Sequence, residues 1–234
     1  MDGEYPAPMW ALPDPGDAPA GEDLIVVGGG MDPGTLLDAY RRGLFPMNVG
    51  VGPGLGDGEV LGWWSPDPRG VLRLPDLRIS RSLARSCRRF EVTFDRSFVE
   101  VMRACADPQR PQGWITEEFI EAYTRLHTLG FAHSVEVWLG GEMVGGLYGV
   151  EIGGLFAGES MFHSVADASK VALVALVRRL RACPGDRLVD VQWCTPHLVS
   201  LGVTEMPRMQ YLNSLPALTR ESACLGGASS TRVG

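Results

Sequence analysis

Three side chains in this sequence pair a polar head with apolar neighbours in a way that could do chemistry. In the run LVDVQW, the two-residue period of a strand sets Leu188, Asp190 and Gln192 on one face and Val189, Val191 and Trp193 on the other. A carboxylate beside an amide on a strand that reads as buried must be hydrogen-bonded by its surroundings or used in a reaction, because an unpaired buried carboxylate is costly. So placed, Asp190 could accept a proton, with Gln192 orienting it. Glu159, at the end of the strand-like run LFAGESMF, poses the same choice. From the residues alone, structural and catalytic roles stand level for all three.

Other chemistries find little support. Gly28-Gly29-Gly30 lies between an apolar strand and a helix, but the G-x-G-x-x-G spacing of a dinucleotide site fails at Pro33. Ser160 in GESMF is followed two residues later by Phe162, so it is not the serine of a G-x-S-x-G elbow. The four histidines form no H-E-x-x-H, and Cys194 with His197 lacks further nearby ligands, so no metal site and no cofactor is expected. Five widely spaced cysteines without a C-x-x-C pair argue against a disulfide framework and suit a reducing compartment. Charge is more informative: residues 69–89 carry seven arginines against one acid, Asp76, in a chain of net charge −7. Such a stretch reads either as an anion-binding surface, with a phosphate backbone as partner, or as a solvated helix face. Lys170 is the only lysine.

The elements that must position these residues follow from periodicity and punctuation. At 234 residues and 45% hydrophobic, the chain can bury a sizeable core, and no apolar run reaches the ~20 residues of a membrane helix. The acidic N-terminus does not resemble a secretory signal, so a cytoplasmic location is expected. Residues 1–22 and the tail 221–234 read as loosely ordered and flexible. LIVVGG reads as a strand, and Asp32-Pro33 opens a helix closed by Gly43. The glycine-rich segment 48–62 reads as a mobile loop and a domain boundary, with a small N-terminal domain over 1–62 and a larger one over 63–234. Ser80 caps a helix through about Arg89, EVTFD is a strand, FVEVMRACA a helix, and Thr116 caps a helix ending near Gly130. HSVEVWL, MVGGLYGVEI and LFAGESMF form a meander, ASKVALVALVRRL is a helix apolar nearly all round, and LVDVQW is a further strand. No heptad or long apolar edge argues for a dimer, and a monomer is expected.

Taken in order, AYRRGLFPM, WWSPDPRGVL, ISRSLARSCRRF, WITEEFIEAYTRLHTLGFAHSVEVW, VGGLYGV, LFAGESMF, ASKVALVALV and DVQW with HLVSLG and MPRMQYL resemble the leucyl/phenylalanyl-tRNA–protein transferases over roughly residues 24–215. The resemblance implies an α+β fold: a small N-terminal α/β domain on a larger GNAT-like acyltransferase domain with a mostly antiparallel sheet. It implies transfer of Leu, Phe or Met from aminoacyl-tRNA to proteins with an N-terminal Arg or Lys, marking them for degradation. It assigns Arg81, Arg85 and Arg88, at i, i+4 and i+7 on one helix face, with Arg89 beside them, to tRNA phosphates. The donor side chain would enter a pocket of Leu147, Phe156, Met161, Leu176 and Val189. Tyr40, Met47, Trp114 and Tyr123 would hold the terminal adenosine. Met47 stands where the family often has tryptophan, and Thr195-Pro196 where it commonly has Asn-Asp. The expected mechanism is aminolysis of an activated ester, with Asp190 and Gln192 taking or relaying the amine proton and Glu159 fixing the cationic acceptor. Two rivals remain: an acetyl-CoA-dependent acetyltransferase, for which no Q/R-x-x-G-x-G/A loop is found, and a non-catalytic RNA-binding module, which leaves Asp190, Gln192 and Glu159 unexplained.

Overall fold

The computed structural model describes residues 5–49, 60–107 and 114–226. Two sheets organise the chain. The small one, ordered β1-β3-β2 and antiparallel, comprises β1 (Leu24–Val27), β2 (Phe45–Val49) and β3 (Val60–Trp64), with α1 (Pro33–Arg41) between β1 and β2. The large one runs β10-β4-β9-β8-β7-β6-β5, from β4 (Arg69–Arg73), β5 (Glu91–Phe94), β6 (Ala132–Leu139), β7 (Glu142–Ile152), β8 (Leu155–His163), β9 (Leu188–Gln192) and β10 (Thr204–Met206). Its remaining helices are α2 (Arg81–Ser86), α3 (Phe98–Cys105), α4 (Glu117–Thr128), α5 (Ala168–Arg181), α6 (Pro196–Ser200) and α7 (Arg208–Leu218). All its neighbours are antiparallel except β8 and β9. The architecture is α+β, a small N-terminal part against a mostly antiparallel sheet. Among the described residues no helix is long and apolar enough to cross a membrane.

Strand alternation explains the layers. Along β7, Leu147 faces the cluster built on α5, whereas Tyr148 faces the cluster shared by α3, α4 and α1. Helix α5 is buried continuously from Val171 to Val177, as an apolar surface on all sides requires. Its first turn lies so close to β7 that a Cβ on Gly145 would fall 2.5 Å from that of Ala168. The core of the small sheet, with Leu36, Leu37, Tyr40 and Trp63, is continuous with that of α3 and α4.

Several expectations need correcting. The expected boundary after residue 62 falls inside β3, which stays in the small sheet through Trp64. Of the expected mobile loop, residues 50–59 lie outside the described residues, while its ends belong to β2 and β3. The segment before residue 22 is anchored: Thr35 Oγ1 accepts from the backbone of Met9 and Trp10 at 3.1 Å each, and Tyr5 stacks on Phe131. Arg208, buried on α7, donates to the carbonyls of Ala18, Pro19, Glu22 and Ser65 at 2.7–3.0 Å. The tail is also held as far as Gly226. Glu151 accepts from the backbone of Cys224 and Leu225 at 2.9 and 3.0 Å, and Cys224 is disulfide-bonded to Cys183, a pairing spacing could not show because the two lie 41 residues apart. Helix α2 ends at Ser86, so Arg88 and Arg89 sit in the following turn and not on the helix face.

Replacing Arg208 by Ala takes the donor from the buried carbonyl of Ser65 and the part-buried carbonyls of Ala18, Pro19 and Glu22, and unfolding stability should drop by ~3–5 kcal/mol. Urea titration followed by tryptophan fluorescence reads this directly. An unshifted midpoint would show that the N-terminal segment is held by something else.

Candidate active site

The parallel contact between β8 and β9 is short, pairing Leu155 with Leu188, Phe156 with Val189 and Ala157 with Asp190. Past that point β8 continues to His163, whereas β9 ends at Gln192, whose φ of 59° is left-handed. The register shifts here against the neighbouring β4: Val71 faces Asp190 and Gly70 faces Gln192, so that Val191 is the extra, bulged residue of β9. The strands splay, and a cavity of about 260 Å³ occupies the gap. Leu147, Phe156, Met161, Leu173, Leu176, Val189 and Val191 form its walls, with Glu159, Gln192, Thr195 and His197 the polar or titratable side chains besides Ser160. All five residues expected in a donor pocket thus line one cavity.

The left-handed turn changes the expected faces of β9. Asp190 and Gln192 do not point the same way: Gln192 lines the cavity with Val189 and Val191, while Asp190 is fully buried behind it. Asp190 Oδ1 accepts from Arg69 Nε and from the backbone of Gln192, both at 2.9 Å. Oδ2 accepts from Arg69 Nη2 at 2.6 Å and Tyr211 Oη at 2.8 Å. Arg69 also donates to the carbonyl of Gly43 at 3.1 Å, where a φ of 84° ends α1. Its guanidinium carbon lies 4.9 Å from the Phe45 ring centroid and 4.6 Å from that of Tyr211. Burial opposes the charge on Arg69, but Asp190 outweighs it and holds the guanidinium ionised. Arg69 therefore leaves the arginine-rich surface to which its position in the sequence pointed.

Two polar atoms at the cavity have no partner among the described residues: Gln192 Nε2 and Glu159 Oε1. The other oxygen of Glu159 accepts from Tyr123 Oη at 3.2 Å, and Tyr123 Oη is in turn hydrogen-bonded to Tyr40 Oη. Burial, only partly offset by the Tyr40 hydrogen bond, pushes the Glu159 pKa up to about 8. Both phenols, raised chiefly by burial and then by Glu159, stay protonated. Tyr40 and Tyr123 are thus turned to Glu159. Met47 and Trp114 are half-buried at the edge of the core cluster that also borders Trp64 and Trp193.

Arg81, Arg85, Arg88 and Arg89 are exposed and, like Arg78, form no ion pair among the described residues. Arg178 and Arg179 of α5, the helix on which α2 packs, are likewise unpaired. Sequence reasoning took Arg178 and Arg179 only as helix-end charges, counted Arg69 only within the arginine run, weighed His197 only as a metal ligand, and gave Tyr211 no role. Nothing in spacing marks one arginine of seven as buried, but Tyr211 and His197 fall within the MPRMQYL and HLVSLG segments that carry the resemblance.

The cavity at the strand splay is walled mainly by apolar side chains, with Glu159, Ser160, Gln192, Thr195 and His197 as its polar lining. The N-terminal-domain and main models of the leucyl/phenylalanyl-tRNA protein transferase family match residues 29–67 and 71–216. The leucyl/phenylalanyl-tRNA–protein transferase of Aromatoleum aromaticum is 49% identical over 222 residues, 93% of this chain and 88% of that one. That of Nitratidesulfovibrio vulgaris is 48% identical over 220 residues, 92% and 90% of the two chains. A GCN5-related N-acetyltransferase from Kribbella flavida is similar at a TM-score of 0.39 and 11% identity, over 61% of this chain and 55% of that one, a likeness too loose to carry weight. The chain belongs to the leucyl/phenylalanyl-tRNA protein transferase family and is an aminoacyltransferase.

Two outcomes follow from the charges. Asp190→Asn strands a buried guanidinium and should destabilise the fold by ~3–5 kcal/mol, with much of the loss recovered when Arg69→Met accompanies Asp190→Leu. A normal unfolding midpoint for Asp190→Asn would show that the pair is not needed for folding. Glu159 holds its proton more tightly when folded, about 8 against an ordinary 4.5, so its contribution to stability is full below pH 4.5 and is lost as pH rises towards 8. Glu159→Gln should therefore flatten the fall in stability between pH 5 and 8, and parallel curves for the two proteins would contradict the shift.

Proposed function

We propose that the cavity receives the leucyl, phenylalanyl or methionyl side chain of an aminoacyl-tRNA, and that the α-amine of a protein beginning with Arg or Lys attacks the ester carbonyl at its polar edge. The product would carry a new N-terminal residue that marks it for degradation. What carries this reading is the one-sided cavity, apolar along its length, with Gln192 Nε2 and Glu159 Oε1 unpartnered at it. The ester is already activated, so the protein's tasks are alignment and stabilisation of the oxyanion, and preorganised donors contribute most in a site that excludes water. Gln192 is one such donor. Protonated Glu159 is a second, and on ionising near pH 8 it becomes a counter-charge for the acceptor's cationic side chain. Asp190, with both oxygens doubly engaged, acts as a positioning residue: it fixes the backbone of Gln192 and through it the aim of the amide.

The unpaired arginines of α2 and its following turn would take acceptor-stem phosphates, with Arg178 and Arg179 alongside. Met47 and Trp114 would form the platform for the terminal adenosine, while Tyr40 and Tyr123 fix Glu159. Use of aminoacyl-tRNA supports a cytoplasmic location, which the Cys183–Cys224 bond does not favour.

Incubation with leucyl-tRNA, phenylalanyl-tRNA or acetyl-CoA and a peptide beginning with Arg, read by mass spectrometry, tests the reading. Addition of one leucyl or phenylalanyl residue is expected, and acetylation without aminoacyl transfer would reject it. Met161→Ala should narrow the preference for Leu and Phe over Ala donors by ~1–3 kcal/mol in relative kcat/KM.

A further inference from the structure

Aminolysis leaves the attacking nitrogen with a proton to lose, and the residues expected to take it are poorly suited. Asp190 accepts four hydrogen bonds and is sealed behind the cavity, and Gln192 does not ionise. Among the cavity-lining residues only Glu159 and His197 titrate. Glu159 is tied to the two tyrosines and keeps its own proton through neutral pH. His197 is in the first turn of α6, whose start is fixed where Thr195 Oγ1 accepts from the backbone of Leu198 at 3.3 Å. Its ring has no hydrogen bond or ion pair among the described residues, so both nitrogens are available to a ligand.

Resting on the transfer reaction proposed above, we propose that His197 is the catalytic base of this enzyme, taking the proton from the acceptor's α-amine as it attacks the aminoacyl ester in the cavity. The new bond joins the amine nitrogen to the ester carbonyl carbon. The bond that breaks joins that carbon to the ribose oxygen of the terminal adenosine. The proton held by the imidazole then passes to the departing ribose oxygen, which leaves as a hydroxyl and returns His197 to its neutral form. Nothing is oxidised or reduced and no co-reactant is needed.

The surroundings suit this role. Partial burial, then the positive charge of Lys170 and the nearby His163, lower the His197 pKa, and Asp167 opposes them only weakly. Asp167 is itself engaged by Lys170 Nζ at 3.0 Å and Ser86 Oγ at 2.9 Å, which diverts its charge from the histidine. The charged and titratable groups around His197 are therefore Lys170 and Asp167 at the start of α5, His163 at the end of β8 and Glu159 across the cavity. The imidazole is neutral at pH 7 and able to accept, whereas an amine of ordinary pKa, about 7.7–8.0, is mostly protonated there.

The test is single-turnover transfer from leucyl-tRNA to an Arg-initiated peptide from pH 5.5 to 9, with wild type, His197→Ala and His197→Asn, alongside leucyl-tRNA binding and thermal melting. At pH 7 both variants should lose about 10²–10⁴-fold in rate with tRNA binding retained, as for loss of a general base. The acid limb set by the histidine should vanish, leaving only the limb of the amine, and added imidazole should restore part of the rate of His197→Ala. Rates within threefold of wild type, or a large loss that imidazole does not relieve in a variant of normal melting temperature, would overturn the assignment. If His197→Ala melts early, rescue and pH profile are read on His197→Asn, and an unchanged acid limb there overturns it equally. Absence of transfer by the wild-type chain would instead reject the transfer reaction.

Discussion

A buried ion pair is tolerated only when every donor and acceptor in it is satisfied, and the centre of this protein is built around that demand. Meeting it for Arg69 and Asp190 draws together the carbonyl that ends α1, the paired strands β4 and β9, the Phe45 ring of the small sheet and the Tyr211 hydroxyl of α7. The pair is therefore also the joint between the two sheets. Its cost in desolvation is offset by four hydrogen bonds to the carboxylate and by rings on the guanidinium, and the return is specificity of arrangement more than net stability.

The same pair determines how the site opens. One hydrogen bond that the Gln192 backbone donates to Asp190 holds Gln192 in a conformation that a non-glycine residue adopts reluctantly, and that single turn ends β9 while β8 runs on. The wedge between them becomes a cavity because α5, apolar on all sides, supplies its floor. Strain at Gln192 is thus coupled to the aim of its amide, and the charge of Asp190 acts at a distance of one residue instead of on the substrate.

What was legible in the sequence follows physical range. The meander of β6, β7 and β8, the all-apolar α5 and the helix capped by Asp32 rest on local periodicity and capping, and they stand where expected; the Ser80 cap also holds, though its helix ends at Ser86 instead of near Arg89. Met161, Phe156 and Val189 could be placed in one pocket through the resemblance. The faces of β9 could not be read, because the period-2 rule fails at a left-handed residue next to a bulge at Val191, which only the pairing with β4 reveals. Arg69 looked like its six exposed neighbours because burial depends on Asp190, 121 positions away. The N-terminal segment looked unstructured for the same reason: its anchor is Arg208, up to 190 positions distant.

The choice of ionisation states suits the chemistry of an ester that must survive until the right nucleophile arrives. A cavity edge bearing a free carboxylate would attract any amine and assist water as readily as substrate. Here Asp190 is sealed behind the wall by its arginine, and Glu159, which lines the cavity, is kept protonated by burial at neutral pH. A donor hydrogen bond to the carbonyl is then available before the acceptor binds. On the proposed reading, the positive charge of an entering Arg or Lys side chain would lower the cost of ionising Glu159, and the carboxylate would form in response to the acceptor. Recognition of the cationic residue and suppression of idle hydrolysis would then come from one buried carboxyl group, with the two tyrosines setting the threshold at which it gives up its proton.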